Sequence, residues 1–379
     1  MASIKEQLEQ LPPGMKQLLE RHHFDPTRFE RLAARLANGP VDHAAENRVR
    51  GRVEPPQAGD VSDLPEPGSP ESQRLEALGL AALASGRCAL VVLAGGMATR
   101  MGGVVKALVE AVPGRTFLDL RLAEMDALEK RVGRRVPLWL MSSHATDAAL
   151  REALGDRIDG EHVAVFPQSL SLRVTPEGDL FHDSAGKVSE HAPGHGDLPD
   201  ALRESGLLAR FTEHGGRMLM MANLDNLGAT VDPAVIGWHL DQKTQVTCEV
   251  VDKVGSDRGG IPVRLDDRPV VLEEFRLPEG FDPSQVRVFN TNTFHFDARA
   301  LKDLDMDWTF FAVTKKVEGQ PVIQFERLVG EVTSHLETRF LRVSRQGESS
   351  RFLPVKDPAE LEARRPEIEA VARARGFST

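Results

Sequence analysis

The chain has 379 residues, of which 41% are hydrophobic and 27% charged, and it carries a formal net charge of −10. That length calls for a large core plus an accessory region. The acidic balance argues against a general nucleic-acid or anionic-membrane surface, so an anionic substrate must be met by local positive charge. No apolar run approaches the roughly 20 residues of a membrane span. The opening residues, with Glu6, Glu9 and Pro12-Pro13, lack the apolar core of a signal peptide. Cys88 and Cys248 each fall within an apparent strand, which suits buried free thiols in a reducing cytosol. A cytoplasmic protein is expected, with no nucleic-acid or membrane partner.

Residues 1–37 read as two or three short helices, on the stripes Leu8, Leu11, Met15, Leu18, Leu19 and Phe29, Leu32, Leu36. Residues 38–70, rich in proline, glycine and acids, read as a linker or an extended segment laid over another surface. Glu71 to Ser85 reads as a helix. From Cys88 the pattern alternates strand and helix. Thr116 caps a helix ending at Gly133; Pro137–Met141 is a strand; Thr146 or Asp147 opens a helix; His162–Phe166 is a strand. Pro199–Phe211 reads as one helix, Arg217–Leu224 as a strand, Asp232-Pro233 as a helix start and Gln245–Val251 as a strand. Repeated βα units imply a mostly parallel sheet covered on both faces. Beyond about residue 255, Gly259-Gly260, Pro269–Leu272, Val286–Phe289 and Pro321–Phe325 suggest an appended mixed or antiparallel portion. Arg327–Leu341 shows no boundaries, and Pro358–Arg375 is a last helix. The expected division is a helical N-terminal region with a proline-rich linker (1–86), a catalytic domain (87–357) and a C-terminal helix (358–379).

The most informative stretch is Cys88-Ala-Leu-Val-Val-Leu-Ala-Gly-Gly-Met-Ala-Thr-Arg-Met-Gly-Gly103, followed by Lys106. A buried strand empties into a glycine-rich turn whose N–H groups can close on a ligand. Thr99, Arg100 and Lys106 add a donor and two positive charges, as a polyphosphate requires. This is neither the Gly-Lys-Ser/Thr phosphate loop nor G-x-G-x-x-G. On geometry alone it is either a nucleotide site or only a turn.

Leu93-Ala-Gly-Gly-Met-Ala-Thr-Arg-Met101 resembles the signature loop of nucleotidyltransferases that make nucleoside diphosphate sugars. His191-Ala-Pro-Gly-His-Gly-Asp197, Ala222-Asn-Leu-Asp-Asn-Leu-Gly-Ala-Thr-Val-Asp232, Val288-Phe-Asn-Thr-Asn292 and Ser350-Arg-Phe-Leu-Pro-Val-Lys-Asp357 follow in order. Over roughly residues 88–357 they resemble the eukaryotic-type UTP–glucose-1-phosphate uridylyltransferases. The resemblance implies a Rossmann-like, doubly wound mixed α/β sheet of the nucleotide-diphospho-sugar transferase type, with a helical N-terminal extension. It implies that UTP and glucose 1-phosphate give UDP-glucose and pyrophosphate by in-line attack on the α-phosphate. Two anions must meet, so positioning and charge neutralisation carry the reaction and no general base is needed.

By that resemblance Asp225, at the strand end Leu224-Asp225-Asn226, holds Mg²⁺, which prefers one or two carboxylates plus phosphate oxygens. The competing reading of Asp225 is an N-cap or turn residue. Lys106, Arg100 and Lys356 are the expected catalytic cations, Lys356 buried or directed because its segment is apolar. Leu93, Gly95, Gly96, Thr99, Gln168 and Gly194 are expected at the nucleotide, the Gln168 amide matching the uracil edge. His195, Asn223, Gly260, Glu273, Asn290 and Asn292 are expected at the sugar phosphate.

The chain departs from the family pattern at Ala98, where glycine is usual, and at Val105, where proline precedes the lysine. Ala98 is acceptable if it stays at negative φ. The sequence given stops soon after Lys356, so the resemblance is to a shortened form without the C-terminal β-helix, and monomer or dimer is left open. Alternatives keep the chemistry on galactose 1-phosphate or N-acetylglucosamine 1-phosphate, or make the protein an idle UDP-sugar sensor. A glycosyltransferase would show Asp-x-Asp where this strand has Asn223-Leu-Asp225.

Overall fold

A computed structural model describes residues 2–37, 45, 47–255 and 257–377; the calls on residues 1, 38–44, 46, 256, 378 and 379 lie outside it. Among the described residues the central sheet has eight strands. Their order is Val61–Asp63, Thr338–Arg342, Val246–Asp252, Val288–Asp297, Met218–Asn223, Cys88–Leu93, Leu138–Ser142, Val163–Pro167. Neighbours run parallel except Val288–Asp297, which is antiparallel to both strands beside it. The apolar run at Cys88 is explained by its place. Ala89 and Val91 enter one core with Trp139, Leu219 and Met221, while Leu90 and Val92 enter the other with Leu140, Met220 and Ala222. A strand covered on both faces has no side left for polar residues.

The helix signals hold. Thr116 accepts the Asp119 N–H while the Asp119 carboxylate accepts the Thr116 N–H, and Gly133 closes Phe117–Val132 in the left-handed region. Asp232 accepts the Ala234 and Val235 N–H groups ahead of Pro233–Gln242. The three opening helices, Ile4–Glu9, Pro13–Arg21 and Pro26–Ala37, form a satellite core with Leu170, Val174, Val188 and Phe325.

Two expectations are corrected and two open ones are resolved. Pro199–Phe211 is two helices, Leu198–Glu204 and Leu207–Glu213, because Gly206 at φ 72° breaks the ladder between them. The portion beyond residue 255 is not simply appended, since Val288–Asp297 runs through the middle of the sheet. Its antiparallel entry lets the chain return without a crossover helix. The stretch 327–341 resolves into a 3₁₀ turn, Val329–Ser334, and the start of Thr338–Arg342. Within 38–70, Val61–Asp63 supplies the sheet edge and Val53–Glu54 pairs with Arg264 and Leu265, so the extended reading holds and a free linker does not.

Candidate functional site

Strand ends meet in register at one edge of the sheet. Leu93 pairs with Asn223 on one side and Met141 on the other, and Ser142 pairs with Pro167. The residues that follow (Gly95 and Gly96, Ser143, Gln168, Asp225) therefore ring one crevice at the carboxyl ends of parallel strands.

The glycine loop is tied back over this edge. Ser143 Oγ donates to the Gly95 carbonyl at 2.9 Å, and the Lys106 N–H donates to the Gly96 carbonyl at 3.2 Å. Lys106 Nζ then lies 2.6 Å from Asp225 Oδ2, with the two side chains 21% and 16% exposed. The contact sets a cation and a carboxylate on the same spot. Ala98 sits at φ −78°, so alanine is unstrained there, and Val105 sits at φ −63°, the value proline would impose.

Gln168 is buried, and its Oε1 has no hydrogen-bond partner among the described residues. A buried unpaired acceptor is costly, so this one is suited to a ligand donor. A Cβ at position 95 would collide with Gln168 Nε2, the end of a flexible side chain. Gly95→Ala is therefore expected to fold normally but turn the amide away. The affinity for whatever ligand donates to that oxygen should fall about ten-fold, the worth of a neutral hydrogen bond or two, with the melting curve unchanged. An unaltered affinity would remove Gly95 and Gln168 from the binding site.

On the opposite side of Asn223, Asn292 Nδ2 donates to Asn223 Oδ1 at 2.9 Å. Asn292 adopts φ 58°, which asparagine tolerates better than most residues, and its N–H donates to Asn290 Oδ1 at 2.8 Å. The Cys248 thiol donates to the same Asn290 oxygen at 3.2 Å. Gly260 and Glu273 form the last rung of the Gly260–Leu265/Arg268–Glu273 hairpin. Burial, then the neighbouring Glu274, pushes the Glu273 carboxyl up to about 7, against the pull of Arg276.

His195 follows Gly194, whose φ of 92° and closeness to the Arg327 carbonyl exclude a side chain. Its Nδ1 accepts the Val329 N–H at 3.0 Å, which assigns the proton to Nε2. Burial holds this imidazole down at about 4, so it is a neutral donor near pH 7. Cys88 and Cys248 are free and buried.

The expected residues are not all joined. Lys106 and Asp225, Asn223 with Asn290 and Asn292, Gly95 with Gln168, and Gly260 with Glu273 are brought together. Arg100 and Lys356 are exposed and touch none of these by hydrogen bond among the described residues. For Lys356 this corrects the buried ammonium: Leu353 and Val355 take the apolar environment, and alternation along the extended chain turns Lys356 outward. The Thr99 side chain lies outside the described part of the structure.

Sequence reasoning missed the support beneath Asp225. Arg121, fully buried on Phe117–Val132, donates to the carbonyls of Asn223, Asn226 and Ala229 and pairs with Glu124. Glu124 Oε1 accepts the Val231 N–H at 2.7 Å. One ion pair thus fixes the backbone on both sides of Asp225. Asn226 in turn donates to the Arg351 carbonyl and accepts the Leu353 N–H, strapping the segment that leads to Lys356. The available signal was two opposite charges three residues apart on an otherwise apolar helix face. Among the described residues no group of three His, Cys, Asp or Glu could hold a metal ion.

A sequence profile described as UTP–glucose-1-phosphate uridylyltransferase matches residues 27–365. The chain belongs to that family. A probable UTP–glucose-1-phosphate uridylyltransferase of Schizosaccharomyces pombe is 32% identical over 298 residues, 73% of this chain and 58% of that protein. The Hordeum vulgare UTP–glucose-1-phosphate uridylyltransferase is 31% identical over 291 residues, 72% of this chain and 60% of that protein. The chain thus spans about three-fifths of the length of these curated relatives. A Trypanosoma brucei structure titled UDP-glucose phosphorylase superposes with TM-score 0.74 at 21% identity, covering 96% of this chain and 78% of that one. A Leishmania major UDP-glucose pyrophosphorylase mutant in complex with UDP-glucose gives TM-score 0.68 at 24% identity, covering 88% and 73%. These likenesses establish the fold that family membership leads one to expect, a mixed α/β nucleotidyltransferase-like sheet.

Proposed function

We propose that this member of the family joins UTP and glucose 1-phosphate to give UDP-glucose and pyrophosphate. The observation that carries the reading is the Lys106–Asp225 contact at the sheet edge, beside the unpaired Gln168 amide. An oxygen of the sugar phosphate bonds to the α-phosphorus while the bond to the β-bridging oxygen breaks, and that electron pair leaves with pyrophosphate. The nucleophile is already ionised, so the protein's work is holding two anions in line.

In this reading Gln168 and the backbone at Leu93, Gly95, Gly96 and Gly194 hold uridine. Thr99, Arg100 and Lys106 take the leaving phosphates. His195, through neutral Nε2–H, and Lys356 take the sugar phosphate, and Asn223, Gly260, Glu273, Asn290 and Asn292 the hexose hydroxyls. Incoming phosphates compete for the Lys106 ammonium and draw it off Asp225. The freed carboxylate suits Mg²⁺, which takes one or two carboxylates together with phosphate oxygens. When bound, the ion adds charge neutralisation on the phosphate oxygens.

The division at residues 87 and 357 and a cytoplasmic location are part of the same proposal. Among the described residues no helix is long and apolar enough to cross a membrane. The test is pyrophosphate release from UTP and Mg²⁺ with glucose 1-phosphate, beside galactose 1-phosphate and N-acetylglucosamine 1-phosphate. Glucose 1-phosphate should dominate. Dominance of another sugar would reassign the substrate, and binding of UDP-glucose without release from any sugar would leave a sensor.

A further inference from the structure

The hairpin that carries Gly260 and Glu273 to the crevice has a second end. Five steps along the ladder separate the Gly260↔Glu273 pair from Leu265↔Arg268, a span of about 17 Å at the usual rise of a strand. At that far end lies a cavity of about 410 Å³, walled also by Gln245 and Thr338, which stand at the amino ends of their strands. It therefore opens on the side of the sheet opposite the crevice.

Its lining is cationic in a protein whose formal charge is −10. Arg264 is committed: its Nε and Nη2 reach the two oxygens of Asp60 at 2.7 and 2.8 Å, and its Nη1 donates to the Asp267 carbonyl at 2.8 Å. That leaves Asp60 neutralised and Arg264 rigid. Arg268 and Arg339 line the same space and, among the described residues, form no ion pair and donate no side-chain hydrogen bond. His335 adds an imidazole, and Glu337 is the one lining carboxylate without an ion pair among the described residues. Exposed arginines are ordinarily just solvated. These two differ in facing a shared concavity with a fixed third guanidinium behind them. Guanidinium forks match oxyanions two oxygens at a time.

We propose that this cavity is a second ligand site, taking a small polyanion (a phosphate ester or a di- or tricarboxylate) between Arg268 and Arg339. Because it faces away from the crevice, it can fill while substrates are bound there. The proposal stands on the cavity alone and does not depend on which sugar the crevice accepts.

Calorimetric titration of the whole protein with inorganic phosphate, and separately with citrate, at constant ionic strength tests it. The proteins to compare are the wild type, Arg268→Ala/Arg339→Ala and Lys106→Met. Saturable binding of at least one probe is expected in the wild type and in Lys106→Met. It should weaken about a hundred-fold or more in the double variant, one lost charge-assisted hydrogen bond in each fork. Both arginines lie at the surface of the cavity, so the double variant should melt as the wild type does; Arg268→Lys/Arg339→Lys, which keeps the charge and loses the fork, gives a second reading and should bind intermediately. The tighter of the two probes tells phosphate ester from carboxylate. No saturable binding of either probe would overturn the proposal. So would binding lost in Lys106→Met and kept in the double variant, which would put the anion in the crevice.

Discussion

Asp225→Ala should lower kcat/KM for pyrophosphate release by about a thousand-fold, some 4 kcal/mol of lost charge stabilisation around the reacting phosphates, and leave the melting temperature almost unchanged. The two halves of that expectation have separate causes. The partner left behind, Lys106, is 21% exposed, so water can solvate it once the carboxylate is gone. The backbone at residue 225 is fixed from outside by Arg121 and Glu124, so the loop keeps its course without the side chain. Asp225→Asn should be nearly as inactive, because the amide keeps the shape and loses the charge. Initial rates across a Mg²⁺ titration, beside a thermal melt, make the measurement. Near-normal magnesium-dependent turnover in Asp225→Ala would end the assignment.

Arg351→Met should have the opposite profile, a stability loss of about 3–5 kcal/mol. Arg351 and Glu249 are both fully buried, joined through Nε–Oε2 at 2.7 Å and Nη2–Oε1 at 2.5 Å, with His295 Nε2 2.8 Å from the same carboxylate. Burial alone would raise the Glu249 carboxyl; the charge of Arg351 and the hydrogen bonds from His295 and Arg351 overcome it and hold the group at about 2. A depressed carboxyl stabilises the fold above its ordinary value of 4.5, and that share is lost as pH falls from there toward about 2. Without Arg351 the sign reverses. Burial then favours the protonated acid, and the variant should be least impaired at low pH. Chemical denaturation of wild type and variant at pH 4 and 7 reads the difference. Adding Glu249→Gln should recover part of the loss. No loss at pH 7 in Arg351→Met would show that the pair is not buried as described.

How much of this was legible in the chain depended on how local its cause was. The helix starts at Thr116 and Asp232 and the buried strand at Cys88 are written in a few adjacent residues, so their limits could be read directly. The crevice was legible because Gly95, Gly96 and Asp225 each follow a strand end, and register does the rest. Val288–Asp297 was not, since its place in the middle of the sheet is decided by partners about forty to eighty residues away in sequence. Arg121 looked like an ordinary helix charge. Only the fold reveals that three carbonyls of a distant loop converge on it. The expected burial of Lys356 failed for the converse reason: an apolar segment reads as a buried one, while its side chains alternate between core and solvent.

The Arg351–Glu249 pair also sets a schedule. The two residues are 102 positions apart, and Asn226 waits for Leu353 across 127. At synthesis rates of about 5–20 residues per second, Glu249 is made about 5–20 s before its counter-charge exists. During that interval closing the middle of the sheet carries the cost of burying Glu249 without its counter-charge. The loop that bears Asp225 is likewise unstrapped until the same late segment arrives. A nascent chain halted between them should therefore be open to proteases near Val246–Asp252, and one extended past Val355 should be closed.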